Sequence, residues 1–254
     1  MSDLYANPKY YEIAFSFRDI TKEVDVFQKC ITQHSKIPAK SVLELGCGNS
    51  PHLHELLKRG YRYTGIDLSQ EMLEFSKSKV SEEMLGKTTF LQANMNDFRL
   101  NDKVDFAFIL LGSIYAKTTA DLLSHFNCIA ETLNTGGLYF LEWCVNFAPL
   151  SDKKESWTIK KDNTTVSTEY SDKIINPVEQ LFEEHIVLNV SENGQDKAIS
   201  LKETKRAIYP QEFLCIINNI KSLEFVGWWN DWDLGQELGK ASKINRPIII
   251  LRKI

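Results

Sequence analysis

Four short clusters stand where the chain could meet a ligand. Glu44-Leu45-Gly46-Cys47-Gly48-Asn49-Ser50 follows an apolar run and precedes a helical pattern. Two glycines at a strand-to-helix turn let the chain bend tightly and bring backbone N–H groups close to a ligand. Alone, Gly-x-Gly is weak evidence, since many such turns carry it. Asp67 follows Gly48 by 19 residues. A carboxylate about 20 positions on, at the tip of the second strand, can take both hydroxyls of a ribose. Its plainer reading is a helix N-cap, a role that Ser69 is also placed to fill. Asn94-Met95-Asn96-Asp97 stands after a third strand, where an adenine edge and face would lie, and Leu110-Leu111-Gly112-Ser113 stands after a fourth. Four strand-end signals in chain order are far rarer by chance than any one of them.

The elements that must position these clusters follow from hydrophobic patterning. Residues 41–45, 63–67, 89–93, 104–111 and 138–144 read as strands. Residues 52–59, the stretch after Ser69 with Met72, Leu73 and Phe75, and 119–133 read as helices. Gly136-Gly137 is the turn before the fifth strand. Such alternation predicts a parallel sheet covered on both faces, with ligands beyond the carboxyl ends of its strands. After Asn146 the pattern changes. Residues 155–206 alternate apolar and polar positions, and Asn193-Gly194 marks a hairpin. An antiparallel β insertion lying over the sheet is expected there. Pro210 opens a helix through residue 220, and residues 225–229 and 248–251 read as closing strands that pair antiparallel. The predicted fold is therefore a Rossmann-like, doubly wound, mostly parallel α/β sheet with an antiparallel β insertion. Its expected parts are an N-terminal helical lid (1–40), a core (41–145), a β cap (146–209) and a closing helix with strands (210–254).

Composition narrows the function classes. The 254 residues carry a formal charge of −4, with no basic stripe for a nucleic acid. Cys30, Cys47, Cys128, Cys144 and Cys215 are scattered, with no zinc spacing, so no metal is expected. The longest clean apolar run, 106–111, is too short to span a bilayer, and the N-terminal stretch lacks an apolar segment. A cytoplasmic protein with reduced thiols, no membrane partner and no nucleic-acid partner is expected.

Val42-Leu43-Glu44-Leu45-Gly46-Cys47-Gly48 resembles the first motif of the class I S-adenosylmethionine-dependent methyltransferases. Gly65-Ile66-Asp67-Leu68-Ser69, Asn94-Met95-Asn96-Asp97-Phe98 and Leu133-Asn134-Thr135-Gly136-Gly137-Leu138 are similar to later landmarks of that family. The resemblance covers about residues 8–145. Asn96-Asp97-Phe98-Arg99-Leu100 and Ser113-Ile114-Tyr115 narrow it to the small-molecule branch that includes sugar N,N-dimethyltransferases. Ser50 replaces a common third glycine and Asn94 a common aspartate. Ser50 is small, and Asn94 still donates and accepts, so neither excludes the cofactor.

The resemblance implies S-adenosyl-L-methionine as cofactor. Gly46 and Gly48 would line its methionine part, Asp67 would hold the ribose, Leu68 would pack the adenine, and Asn94 and Met95 would meet its edge and face. Glu44 would organise the loop near the donor's amino group. Cys47, Met72, Asn96, Leu111 and Tyr10 complete the expected cofactor set. The segment with Tyr10, Tyr11, Phe17 and Arg18 is often a lid in the family; Arg18 would pair with the cofactor carboxylate and Tyr11 would flank the methyl. An amphipathic surface helix explains the same residues equally well. Tyr11 and Glu142 are the candidate catalytic groups. Tyr115, Trp143, Trp157, Arg206 and Tyr209, with Glu183, are candidates for the acceptor pocket. His125, His52 and His54 lack ligand spacing and read as structural. Trp228, Trp229 and Trp232 suit an aromatic wall, although strand packing accounts for the first two.

The expected reaction is in-line methyl transfer to a small-molecule amine, or to a hydroxyl. Positioning supplies most of such catalysis, and a base is optional for an amine. A peptide or protein methyltransferase and a noncatalytic cofactor-binding subunit remain open, as does a homodimer. A nucleic-acid methyltransferase is disfavoured by Leu111-Gly112-Ser113-Ile114, where base-amino methylation usually goes with an Asn/Asp-Pro-Pro-aromatic stretch. A nicotinamide dehydrogenase is disfavoured by the absence of a hydride-transfer constellation.

Overall fold

The structure, a computed structural model, describes residues 4–149 and 151–254. The first three residues of the expected lid, and position 150 of the expected cap, lie outside them. Two helices open the chain: α1 (Pro8–Ala14) and α2 (Ile20–His34). Asp19 caps α2 by accepting from the Lys22 N–H at 3.2 Å. Val24, Phe27 and Cys30 form the buried face of α2. Then follow β1 (Ser41–Leu45), α3 (Leu53–Lys58), β2 (Arg62–Asp67), α4 (Gln70–Lys77), α5 (Glu82–Leu85), β3 (Thr88–Gln92), β4 (Val104–Ile109), α6 (Thr119–Thr132) and β5 (Leu133–Glu142). Ser69 is the N-cap of α4, and Thr118 with Asp121 forms a capping box on α6.

Four antiparallel strands come next: β6 (Lys153–Lys161), β7 (Thr164–Asn176), β8 (Leu181–Glu192) and β9 (Gln195–Arg206). They form a separate sheet in chain order. Asn193 (φ 52°) and Gly194 (φ 79°) make the β8–β9 turn, with both central residues left-handed as a type I′ hairpin requires. α7 (Pro210–Asn219), β10 (Leu223–Asn230), β11 (Asp233–Glu237) and β12 (Ile248–Lys253) end the chain.

The main sheet has the order β11-β10-β12-β5-β4-β1-β2-β3. Its pairs from β5 to β3 are parallel. β12 is antiparallel to both β5 and β10. The sheet is thus mostly parallel and doubly wound, with antiparallel closing strands. Alternating side chains bury both faces. Ala107, Ile109, Tyr139 and Leu141 pack with α6 and α7; Phe106, Phe108, Leu138 and Phe140 pack with α2 and α3. A third apolar cluster joins Ile13 and Ala14 of α1 to Val166, Ile186, Leu188 and Leu201 of the smaller sheet. No helix among the described residues is long and apolar enough to cross a membrane.

Several elements depart from the sequence reading, α5 having no counterpart in it. β4 stops at Ile109 because Leu111 and Gly112 take left-handed backbone, with φ of 56° and 62°. β5 begins earlier, at Leu133, and stops at Glu142, where Trp143 also turns left-handed at φ 54°. β11 was not expected, since its short polar run carries no periodic signal.

Candidate active site

Strand order reverses between β1, which leads on to β2 and β3, and β4, which leads on to β5. The crevice beyond the carboxyl ends at such a switch point is where open α/β sheets bind ligands. A cavity of about 270 Å³ lies there. Its floor is Glu44 to Asn49, at the end of β1 and the turn that follows, with Leu110, Leu111 and Ser113 after β4. Its roof is the N-terminal segment, with Tyr11, Phe15 and Arg18. Gly46 (φ 60°) and Gly48 (φ 50°) both hold left-handed backbone. A Cβ on Gly48 would meet nothing within 4 Å, so the loop presents bare backbone to open space.

Asp67 stands beside this loop. Its Oδ2 accepts the Gly48 N–H at 2.8 Å and its Oδ1 accepts the Ser69 N–H at 2.8 Å. Burial raises the Asp67 carboxyl above its ordinary range, against those backbone bonds. Leu68 next to it is exposed, free to cover a planar ring. Met95 is buried under Gly46, its Cε 3.2 Å from where a Cβ would sit. Asn94 turns the loop through Asn96 N to its Oδ1 at 2.9 Å, and Asn96 Nδ2 donates to the Tyr115 carbonyl at 2.8 Å. Met72 is fully buried in α4. Cys47 is buried at the cavity wall, and its burial pushes the thiol well up.

Beneath the cavity runs a chain of buried charges that the sequence reading did not identify. Glu142 Oε1 accepts from Trp232 Nε1 at 2.7 Å and Arg246 Nε at 2.6 Å. Arg246 Nη2 reaches Glu23 Oε1 at 2.9 Å. His52 spans Glu23 (Nε2, 2.9 Å) and Glu44 (Nδ1, 2.9 Å), and Tyr63 closes the chain on Glu44 at 2.5 Å. Both His52 nitrogens face carboxylate oxygens, so the ring carries two protons. Burial lowers its pKa, but the Glu44 charge and the two bonds outweigh that and leave it raised. Arg18 pairs with Glu23 through Nε and Nη2. Burial pushes Glu23 up, yet its His52 and Arg18 bonds hold it at about 2. Three carboxylates thus balance three cations, as buried ions require. The Glu44–His52 and Arg18–Glu23 steps are local in sequence; the links from Glu23 to His52 and Arg246, and from Arg246 to Glu142, are made by the fold.

The expected site residues divide by place. Tyr11, Arg18, Glu44, Gly46, Cys47, Gly48 and Leu111 line the cavity. Tyr10 does not: its hydroxyl donates to Glu192 of β8 at 2.7 Å, because α1 turns that face onto the smaller sheet. Glu142 is fully buried, lines neither cavity, and takes the Leu111 N–H on Oε2 at 3.0 Å, so it fixes the β4 turn and does not meet a substrate. Trp157 donates its indole N–H to the Ala14 carbonyl at 2.7 Å and packs on Phe15 and Phe17, which makes it a support of α1. Arg206 pairs with Glu212, Tyr209 is the N-cap of α7, and Glu183 faces outward to Lys202. Trp143 is 46% exposed at a second cavity of about 160 Å³, with Asp172, Lys153 and Phe182. Tyr115 is bonded to Glu184, between the two cavities. The aromatic wall does not form: Trp228 packs on Phe225, Trp229 on His34, and Trp232 on Phe140. His125 joins the Met95 carbonyl to Tyr139, and burial lowers it to about 4, a neutral core histidine.

Comparison with known proteins agrees with this geometry. Residues 42–137 match the family described as "Methyltransferase domain". A dTDP-3-amino-3,4,6-trideoxy-alpha-D-glucopyranose N,N-dimethyltransferase of Streptomyces venezuelae is 31% identical over 105 residues, 41% of this chain and 42% of that protein. The putative methyltransferase YqeM of Bacillus subtilis is 32% identical over 111 residues, 42% of this chain and 44% of its own. The chain thus spans less than half the length of these curated relatives. Shape likeness runs further. The crystal structure of Streptomyces venezuelae DesVI superposes with a TM-score of 0.76 at 18% identity, over 97% of this chain and 98% of that one. The sugar N-methyltransferase KedS8 from Streptoalloteichus gives 0.74 at 18%, over 96% and 92%. Glycine turns at the switch point, a carboxylate at the tip of β2 and the family match converge on one stretch: residues 42–137 match a methyltransferase domain, in a chain that has the Rossmann-like fold of these solved structures.

Proposed function

We propose that the protein transfers a methyl group from S-adenosylmethionine to the nitrogen of a small-molecule amine. The observation that carries this reading is the roofed cavity at the β1–β4 switch point, with bare glycine backbone on its floor and Asp67 at its side. When bound, the cofactor supplies an electron-poor methyl on a sulfonium. The residues present fit it. Asp67 spends one bond from each oxygen on backbone and keeps lone pairs for ribose hydroxyls. Arg18 keeps Nη1 for a carboxylate, and Leu68 offers an apolar cover. Tyr11 lies in the cavity with its hydroxyl pKa raised by burial, which suits it to shaping the reacting centre as a neutral group.

Three observations favour an amine. The cavity's carboxylates are all engaged: Glu44 by His52 and Tyr63, Glu12 by Lys79 and Asn49. No strong base is left for a hydroxyl, whereas an amine, once it has shed its ammonium proton, attacks with its own lone pair. The relatives from Streptomyces venezuelae and Streptoalloteichus are named for N-methylation of sugars. The acidic total disfavours a polyanionic acceptor such as nucleic acid. Scattered free cysteines suit a reducing cytoplasm.

The test has two arms. S-adenosylhomocysteine at about 100 times its Kd should add about 2.7 kcal/mol and raise the melting temperature by roughly 5–10 °C. Pooled metabolites incubated with methyl-labelled donor should yield a labelled amine, identified by mass spectrometry. A shift with nicotinamide dinucleotide and none with S-adenosylhomocysteine overturns the cofactor; label found only on oxygen, or on protein, overturns the acceptor.

A further inference from the structure

The inner face of the smaller sheet changes character along its length. Under α1 it is apolar, with Val166, Ile186, Leu188, Ile199 and Leu201. Further along, toward the ends of β4 and β5, strand register puts Tyr170, Asp172, Glu184 and Lys205 on that same face. Glu184 is 3% and Lys205 5% exposed. Burying ions costs several kcal/mol each before pairing, and a cap needed only for packing would stay apolar.

These groups form a continuous line. Tyr5 Oη lies 3.2 Å from Tyr115 Oη, and Tyr115 Oη donates to Glu184 Oε1 at 2.8 Å. The single Tyr115 proton is spent on Glu184, so Tyr5 must donate to Tyr115. Tyr170 Oη lies 3.0 Å from Glu184 Oε2 and 2.9 Å from Asp172 Oδ1. One hydroxyl proton cannot serve two carboxylates, so the line closes only when one more proton sits on Glu184 or Asp172. Lys205 Nζ, 2.6 Å from Glu184 Oε2, supplies that carboxylate's counter-charge. Burial raises the Asp172 carboxyl, against the Tyr170 bond and the Lys205 and Lys153 charges, and so favours it as the proton's seat. One end lines the second cavity, and the other packs behind the wall of the donor cavity. Tyr5 packs on Tyr11, 6.1 Å between ring centres, and Tyr11 lines the donor cavity. Asp172 lines the second cavity, beside exposed Trp143.

We propose that Tyr5, Tyr115, Glu184, Tyr170 and Asp172 are a relay that carries the acceptor's ammonium proton from the donor side to solvent. The inference rests on the amine reading above. A bound R–NH3⁺ has no lone pair, and one N–H bond must break with its electron pair kept on nitrogen. The released proton moves onto Tyr5 Oη as the Tyr5 proton passes to Tyr115 and the Tyr115 proton to Glu184. Asp172 first gives its resting proton to water; Tyr170 then hands its own proton to Asp172 and takes one from Glu184, which restores the proton on Asp172. Each hydroxyl ends with one proton, and the net change is R–NH3⁺ to R–NH2 with one proton in solvent.

The test mixes the S-adenosylhomocysteine complex of the full chain with glucosamine, ethanolamine or methylamine in weakly buffered indicator dye. Wild type, Tyr170→Phe and Asp172→Asn are followed by stopped flow, with calorimetry of the nucleoside on the same samples. Wild type should release protons as the amine enters. Both variants should bind S-adenosylhomocysteine as wild type does and release protons roughly 100-fold more slowly. Raising the pH until the free amine is neutral should abolish the difference. Release from both variants at the wild-type rate overturns the relay. Wild type that binds the nucleoside but releases no proton with any of the three amines also overturns it. Wild type that does not bind the nucleoside overturns the methyltransferase reading itself, and the relay with it.

Discussion

At the residue scale, Asp67 does two jobs with one carboxylate. It ties the glycine loop to the start of α4, and in the proposed function its remaining lone pairs take the ribose. Asp67→Ala should weaken S-adenosylhomocysteine binding by about 1.5–3 kcal/mol, the worth of a charge-assisted hydrogen bond, with the circular dichroism spectrum unchanged. Unchanged affinity in calorimetry would place the ribose elsewhere. Glu23 gives a separate, pH-based expectation. Its folded pKa of about 2 lies below the ordinary 4.5. A carboxyl depressed by folding contributes stability above its unfolded pKa and loses it as pH falls through the folded value. The melting temperature of wild type should therefore drop between about pH 4.5 and 2, and Glu23→Gln should flatten that window while lowering stability at neutral pH. Asp67 was legible in the sequence because it belongs to a local strand-end motif. Glu23 and Arg246 were not, because their partners lie 29 and 104 positions away.

At the element scale, α1 is too short to hold itself in place and is clamped from outside. Trp157 on β6 bonds the Ala14 carbonyl and packs edge-on against Phe15 and Phe17. On the other side, Glu12 of α1 pairs with Lys79. Trp157→Ala removes a hydrogen bond and two aromatic contacts, about 2 kcal/mol together. Bound S-adenosylhomocysteine should then dissociate roughly tenfold faster or more in a displacement assay, with the far-ultraviolet spectrum preserved. An unchanged off-rate would mean that α1 does not gate the cavity. Strands β1, β2 and β3 and the Ser69 cap were readable because period and capping are local signals. The left-handed turns at Leu111 and Trp143 were not, since neither residue favours that backbone; a bond from Leu111 N to buried Glu142 and another from Trp143 N to the Pro247 carbonyl fix them.

At the scale of the whole molecule, the smaller sheet packs on α1, and α1 roofs the donor cavity. Replacing residues 151–206 with a short linker should leave a folded eight-stranded sheet. It should also strip α1 of its apolar support and weaken S-adenosylhomocysteine by roughly tenfold or more, with methyl transfer lost. A trimmed protein that binds the nucleoside as tightly as wild type and still methylates its acceptor would show that the sheet caps nothing. The change of pattern after Asn146 and the Asn193-Gly194 turn made this sheet visible in the sequence. Its polar inner half was not, because alternation reports which residues share a face and not what that face meets.

The four strands of the smaller sheet run in chain order, each hairpinned to the next, and leave the chain where they entered, between β5 and α7. Such a unit behaves as a cassette, gained, lost or exchanged without rethreading the fold that carries it. The family match stops at residue 137, ahead of it. On the function proposed above, donor chemistry and acceptor identity fall in separate stretches of the chain, and selection can retune one while holding the other still. The seam is where that freedom ends: Lys205 over the Tyr115 ring and Tyr115 on Glu184 cross from cassette to host, so a graft between relatives must bring its partner for position 115.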